Sequence, residues 1–248
     1  MKINRGMIHE YLGMTLDYST RGEVKITMYN YIRDIVTDFK QYDSSNKNSH
    51  TPTANHLFKV RDDQKKLPES LAEVFHTFTA RSLFTTKWSR PDIHTTVAFL
   101  TTRLLCPDDD NWTKLVRLIR YLRITLNLPL ILSADSTNIV KWWVDGSFGF
   151  HPNTRSQTGG TASLGKGYFI STSIKQKLNT RSSTETELVA ADYLIPHHCW
   201  TNYFFKNQGY DTKSTVMYQD NQSAILLENN GRASSSIRTK HLNIRYFS

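Results

Sequence analysis

The chain has 248 residues, 38% of them apolar and 21% charged, with 31 Lys and Arg against 22 Asp and Glu for a formal net charge of +9. Aromatic residues at 12%, five of them Trp, exclude a chain that is disordered throughout. No apolar run is long enough to predict a membrane span, and Cys106 and Cys199 are too few for a disulfide framework.

The first ten residues carry Lys2, Arg5, His9 and Glu10 without an apolar stretch, so a secretory signal is not expected. Residues 8–18 and 23–28 alternate apolar and polar around Thr20, Arg21 and Gly22, which predicts a β-hairpin. Tyr31, Ile32, Ile35, Val36 and Phe39 recur at helical spacing. Residues 44–69 are rich in Ser, Asn, Thr, Asp and Lys, hold Pro52 and Pro68, and are expected to be a polar linker. Three helices are predicted next, over 71–86, 91–105 and 112–126. The third carries Leu115, Val116, Ile119 and Leu122 on one stripe and Lys114, Arg117, Arg120 and Arg123 on the other side. A solvated surface is the simpler reading of that basic face. In a chain of net charge +9, contact with phosphates is the second.

From Asn138 the pattern changes to short strands at 139–144, 161–164 and 168–173, with Gly165, Lys166 and Gly167 as a turn. A helix over 184–205, a strand at 215–218 and a helix over 221–228 follow. The order β, β, β, α, β, α predicts an α/β fold with a mixed sheet and helices packed on it. Three segments invite other readings. Gly160 to Lys166 has phosphate-loop spacing, but Gly167 stands where a hydroxyl is needed, so a hairpin turn is expected. His197, His198 and Cys199 lack a second ligand pair for zinc and are expected to be structural. Trp142, Trp143, Tyr168 and Phe169 are either base-stacking platforms or core.

Three acidic residues occupy comparable positions: Asp145 and Asp220 each close a strand, and Glu187 lies in the first turns of the long helix. Carboxylates at a sheet rim repel one another unless divalent cations hold them, and Mg²⁺ suits oxygen-only ligands. Two such ions roughly 4 Å apart can hold the attacking and leaving oxygens of a phosphodiester displacement. Taken singly, each residue is better explained as a cap or turn residue.

The order of elements around these residues resembles ribonuclease H, through Trp143-Val144-Asp145-Gly146-Ser147, Thr186-Glu187-Leu188-Val189-Ala190 and Tyr218-Gln219-Asp220-Asn221-Gln222-Ser223-Ala224. Within that superfamily the chain is most similar to the polyprotein of copia-type LTR retrotransposons. The residues that carry this are Arg155-Ser156-Gln157-Thr158-Gly159-Gly160, Ser182-Ser183-Thr184-Glu185-Thr186-Glu187, Asp220-Asn221-Gln222-Ser223-Ala224 and Arg238-Thr239-Lys240-His241-Leu242-Asn243-Ile244-Arg245-Tyr246. Tyr11-Leu12-Gly13-Met14 resembles the primer-supporting hairpin at the end of the reverse-transcriptase palm. Arg90-Pro91-Asp92-Ile93 and Leu118-Ile119-Arg120-Tyr121-Leu122 resemble the connection between polymerase and RNase H.

The resemblance implies four parts: a palm and thumb remnant (1–43), the linker (44–69), a helical connection region (70–134) and an RNase H-like domain (135–248). It implies Asp145, Glu187 and Asp220 as catalytic and metal-binding residues, with Mg²⁺ or Mn²⁺ as cofactor. Lys114, Arg117, Arg120, Arg123, Asn221, Arg238 and Lys240 are the expected nucleic-acid contacts, and an RNA–DNA hybrid and the rest of the Pol polyprotein are the expected partners. The expected location is the cytoplasm, in a virus-like particle, or the nucleus. No Tyr-x-Asp-Asp turn occurs, so polymerase chemistry is not expected of this chain. The family's fourth metal-binding Asp would lie beyond Ser248, and without it slower hydrolysis, or a catalytically silent nucleic-acid-binding remnant, is the expectation.

Overall fold

The computed structural model describes residues 5–61, 63–210, 212 and 214–230. It is a mixed α/β structure of two units, one taking the chain up to Ala134 with Gly165–Tyr168, the other Asp135–Leu164 and the described chain from Phe169.

The first unit opens with β1 (Ile8–Tyr11), β2 (Met14–Asp17) and β3 (Glu23–Thr27). The expected single strand over 8–18 is in fact two. Leu12 at φ 50° and Gly13 at φ 76° make a two-residue turn with both centres left-handed, the geometry that matches strand twist. A leucine in that region is rare, which hid the turn from the sequence. A further strand that patterning missed, β4 (Leu130–Ala134), pairs antiparallel with β3, placing Val24 opposite Leu132.

Four helices cover this unit's core: α1 (Tyr29–Phe39), α2 (Glu69–Trp88), α3 (His94–Thr101) and α4 (Asp109–Ile124). Ile32, Ile35 and Phe39 of α1 meet Phe75 and Phe78 of α2, Val97 and Leu100 of α3, and Leu115, Leu118 and Leu122 of α4. The helix expected over 91–105 is shorter, a 3-10 turn at Pro91–Ile93 leading into α3. Thr101 and Thr102 end it, their hydroxyls donating back to the carbonyls of Ala98 and Phe99. Asp108 caps α4, its carboxylate accepting the Asn111 N–H at 2.8 Å.

The chain between Asp43 and α2, read above as a linker, is irregular in its backbone, yet Leu57 is buried and Phe58, Val60 and Leu67 pack on the same core. Its composition is that of a loop, but these apolar residues fasten it down.

In the second unit, β5 (Ile139–Ser147), β6 (Gln157–Ser163) and β8 (Ile170–Lys175) run antiparallel to their neighbours, and β9 (Ser214–Tyr218) joins β5 in parallel. The sheet order β8-β6-β5-β9, with α5 (Ser183–Asn207) and α6 (Gln222–Asn230), is an RNase H-like arrangement. Alternation along β5 buries Val140, Trp142 and Val144 against Ala190 and Leu194 of α5. Two glycines permit this close approach. A Cβ on Gly146 would stand 2.9 Å from the Thr186 carbonyl oxygen, and one on Gly160 would stand 2.4 Å from Leu194 Cδ1.

Gly165–Lys166 forms β7, paired with β4 in the first unit, and Lys166 meets Glu23 at 2.8 Å. Gly167, at φ 71°, lies where a Cβ would come within 2.2 Å of the Ile131 carbonyl oxygen. The segment is therefore strand and turn, not a phosphate loop. No described helix is long and apolar enough to cross a membrane.

Candidate metal centre

The same alternation that buries Val144 turns Asp145 to the exposed face of β5. Because β9 is parallel to β5 with Tyr218 opposite Trp143, the chain leaving β9 carries Asp220 to the same end of the sheet. Helix α5 delivers the third carboxylate. Its N-cap Ser182 accepts the Glu185 N–H at 3.1 Å, and the buried Glu185 turns back to accept the Arg181 N–H at 2.7 Å. Glu185 belongs to the cap, and Glu187, two residues on, points to the rim.

Carboxylate oxygens of Asp145, Glu187 and Asp220 lie within 4.8 Å of one another. Asp145 and Asp220 are exposed and Glu187 is buried. Burial raises the Glu187 pKa to about 7, and the neighbouring charges of Asp145 and Asp220 push the same way. Hydrogen bonds from Gln219 and from the Gly146 N–H oppose the rise. Among the described residues no Lys or Arg pairs with any of the three. An all-oxygen set with two members open to solvent and no counter-charge among the described residues has the donor chemistry of a site for a hard divalent cation.

An open groove of about 390 Å³ runs beside the carboxylates, lined by Trp143, Asp145, Gly159, Gly160, Thr161, Tyr218 and Asp220. Trp143 and Tyr218 stack in it, ring centres 5.3 Å apart and planes 22° from parallel. Of the aromatic candidates named from sequence, Trp142 is wholly buried and Phe169 packs on Phe205, so Trp143 is the one that reaches this groove.

Beneath the rim lies a buried polar cluster. The hydroxyls of Ser156, Thr180 and Thr186 bond to one another at 2.7–3.1 Å, and Gln176 Nε2 donates to the Thr186 carbonyl at 3.0 Å. This ties the start of β6 and the end of β8 to the first turn of α5, immediately before Glu187. It gives a physical role to Ser156 and Thr186 of the motifs 155–160 and 182–187. Reasoning from sequence missed Gln219, Gly146 and Gly160. Their only local signal was a polar or small residue beside a strand-end carboxylate or within a strand.

The basic residues of α4 all make hydrogen bonds within the chain. Lys114, only 5% exposed, pairs with Asp110 at 2.7 Å, donates to the Lys59 carbonyl at 2.7 Å and sits over the Phe99 ring. Arg117 donates to the Thr51 hydroxyl, and Arg120 makes two bonds to Asp43 at 2.7 and 2.8 Å. Arg123 donates to the carbonyls of Ser45 and Lys47 and to Asn48. The four cations hold the chain between Asp43 and Val60 onto the helix, and Arg120 holds Asp43 below the usual carboxylate pKa. Asn221 is the N-cap of α6, its side-chain oxygen accepting the Ala224 N–H. Arg238 and Lys240, with the whole motif 238–246, lie outside the described residues.

His197 faces the Tyr193 carbonyl and His198 lies by Trp142. Among the described residues neither joins a converging group of metal-ligating side chains.

No family model matches the chain. Over 97% of its length it is 29% identical to the retrovirus-related Pol polyprotein from transposon TNT 1-94 of Nicotiana tabacum. It spans 18% of that relative's length. The chain is thus similar, almost from end to end, to one segment of a retrotransposon Pol polyprotein, while the RNase H-like topology of its second unit rests on strand order and pairing alone.

Proposed function

We propose that the chain is a retroelement Pol region whose second unit is an RNase H-type nuclease, hydrolysing the RNA strand of RNA–DNA hybrids with divalent cations. The observation that carries the reading is the convergence of Asp145, Glu187 and Asp220 from a strand, a helix and a post-strand turn, with no cationic side chain among the described residues to balance them. Structural carboxylates are ordinarily paired or solvated separately, because bringing like charges together costs free energy.

Asp145, Glu187 and Asp220 would hold the ions. When bound, Mg²⁺ or Mn²⁺ would polarise the scissile phosphate and lower the pKa of the attacking water. Asp145 and Asp220 present their oxygens at the mouth, where a phosphodiester can approach. Glu187 sits deeper and closes the site from the core side. The stacked Trp143 and Tyr218 offer a flat apolar surface beside it, suited to a sugar or base face. The open groove admits a polymer running across the rim rather than enclosing a small molecule. The basic face of α4 is not needed for this proposal: Lys114 and Arg120 pair with Asp110 and Asp43, and Arg117 and Arg123 donate to neutral acceptors within the chain.

The test is hydrolysis of an end-labelled RNA–DNA hybrid in Mg²⁺ or Mn²⁺, with duplex DNA as control. Cleavage of the hybrid alone, lost in Asp145→Asn, is the expected result. Equal cleavage by the variant defeats the assignment, and hybrid binding without turnover makes the chain a silent nucleic-acid-binding remnant.

A further inference from the structure

Between Glu187 on α5 and Asp220 after β9 lies a side chain with both of its polar atoms committed. Gln219 Nε2 donates to Glu187 Oε2 at 3.1 Å, while Gln219 Oε1 accepts the Asn221 N–H at 3.0 Å. The second bond fixes the amide's orientation, because a backbone N–H can only be met by the oxygen. The nitrogen is thereby aimed at Glu187. The line continues: Asn221 Oδ1 accepts the Ala224 N–H at 3.0 Å, capping α6.

We propose that Gln219 is a positioning residue for the cation site, holding the Glu187 carboxylate and the turn that carries Asp220 in one fixed arrangement. The inference rests on the cation-site reading above.

The choice of an amide matters. A Lys at this position could also reach Glu187, but its fixed positive charge would neutralise the site and compete with a cation. A hydrophobic residue would leave Glu187 Oε2 without this donor and the Asn221 N–H without this acceptor. Gln219 orients one oxygen of Glu187 through a neutral donor and leaves the charge of the three carboxylates intact. Asp220, between Gln219 and Asn221, is held from both sides: Gln219 reaches Glu187 on α5, and Asn221 is locked as the cap of α6. The ligand spacing is therefore set before a cation arrives, which is how outer hydrogen-bond partners contribute to metal affinity.

The experiment is a double-mutant cycle on Mn²⁺ affinity, measured by water-proton relaxation into the millimolar range on the full chain, with Gln219→Met and Glu187→Gln alone and together. With Glu187 present, Gln219→Met is expected to weaken Mn²⁺ binding about 10- to 100-fold, the range typical of losing such a partner. In the Glu187→Gln background the same change is expected to cost less than about twofold, because the carboxylate it orients is gone. An equal loss in both backgrounds, or no loss in either, overturns the positioning role while leaving the cation site standing. A wild-type chain that takes up no Mn²⁺ overturns the cation-site reading itself, and this inference with it. Thermal melts of the cation-free proteins separate a local effect from unfolding. Melting temperatures of wild type and Gln219→Met that agree within a few degrees support the proposal, and a larger fall makes the effect one of general stability and overturns it.

Discussion

Helix α4 and the rim of the second sheet each gather like charges within a small region, and they differ in how those charges are met. On α4, Lys114, Arg117, Arg120 and Arg123 each find acceptors in the chain between Asp43 and Val60 or on α4 itself, so the cations serve as fasteners for a segment with few apolar residues. At the rim, Asp145, Glu187 and Asp220 converge without a cation among the described residues to meet them. The α4 cations have acceptors within the chain, whereas the rim carboxylates converge without a described cation, which is what the proposed cation site requires. Periodicity in the sequence separates neither case from the other.

The largest effect should come from breaking the rim. Asp220→Asn, or removal of divalent cations by a chelator, is expected to lower hybrid cleavage by at least about 100-fold in a gel assay, the scale set by losing a metal's contribution to the transition state. Arg120→Met, on the other cluster, should leave cleavage per folded molecule unchanged if the comparison is right.

Geometry at the rim can be broken without touching a carboxylate. Gly146→Ala would drive a Cβ into the Thr186 carbonyl at 2.9 Å, where backbone cannot yield as a side-chain end can. About 1–3 kcal/mol of destabilisation in a denaturant titration is expected from such overpacking, together with loss of activity as β5 and α5 part.

On α4, Arg120→Met should remove both bonds to the largely buried Asp43 and destabilise the first unit by about 1–3 kcal/mol. The informative comparison is with salt: a phosphate-binding Arg would reduce the salt slope of nucleic-acid affinity by about one when removed, whereas a fastening Arg would not change it. A changed slope in a filter-binding titration would return α4 to the nucleic-acid interface.

The smallest expected effects are on stability and pH. Ser182→Ala should cost about 1 kcal/mol through the lost cap of α5. The Glu187 pKa stands above the 4.5 of the unfolded chain, at about 7, so the folded state binds this proton more tightly than the unfolded state does. Its contribution to stability is complete below pH 4.5 and is lost as pH rises through about 7. The cation-free protein should therefore melt at progressively lower temperature across that window. Mn²⁺, which needs the ionised carboxylate, should bind more tightly as pH rises and should offset the loss.

Much of the second unit was legible because its motifs are local. Asp145 sits in a run whose alternation is plain, Glu187 falls in the first turns of the helix predicted over 184–205, and Asp220 follows a β-rich run. The first unit was less legible. Its hairpin turn uses Leu12 at a left-handed position, and β4 follows Pro129 without alternation, so both escaped a reading based on period and turn chemistry. Residues 44–69 read as a polar linker, and their backbone is irregular, but the sequence did not show how they are held down. A few apolar residues, Leu57 and Leu67 among them, suffice to anchor a polar segment when cations on a nearby helix donate to its carbonyls.

By itself, the sequence determined which residues carry charge and which faces are apolar, and with them the helices, most strands and the three carboxylates. Only the tertiary structure decided which charges are free. Pairing depends on what the fold brings within about 3 Å, and hydrogen bonds and ion pairs weaken beyond that. Asp43 and Arg120 are far apart in the chain and in contact in the fold, while Asp145, Glu187 and Asp220 are equally scattered and converge with no cation between them among the described residues.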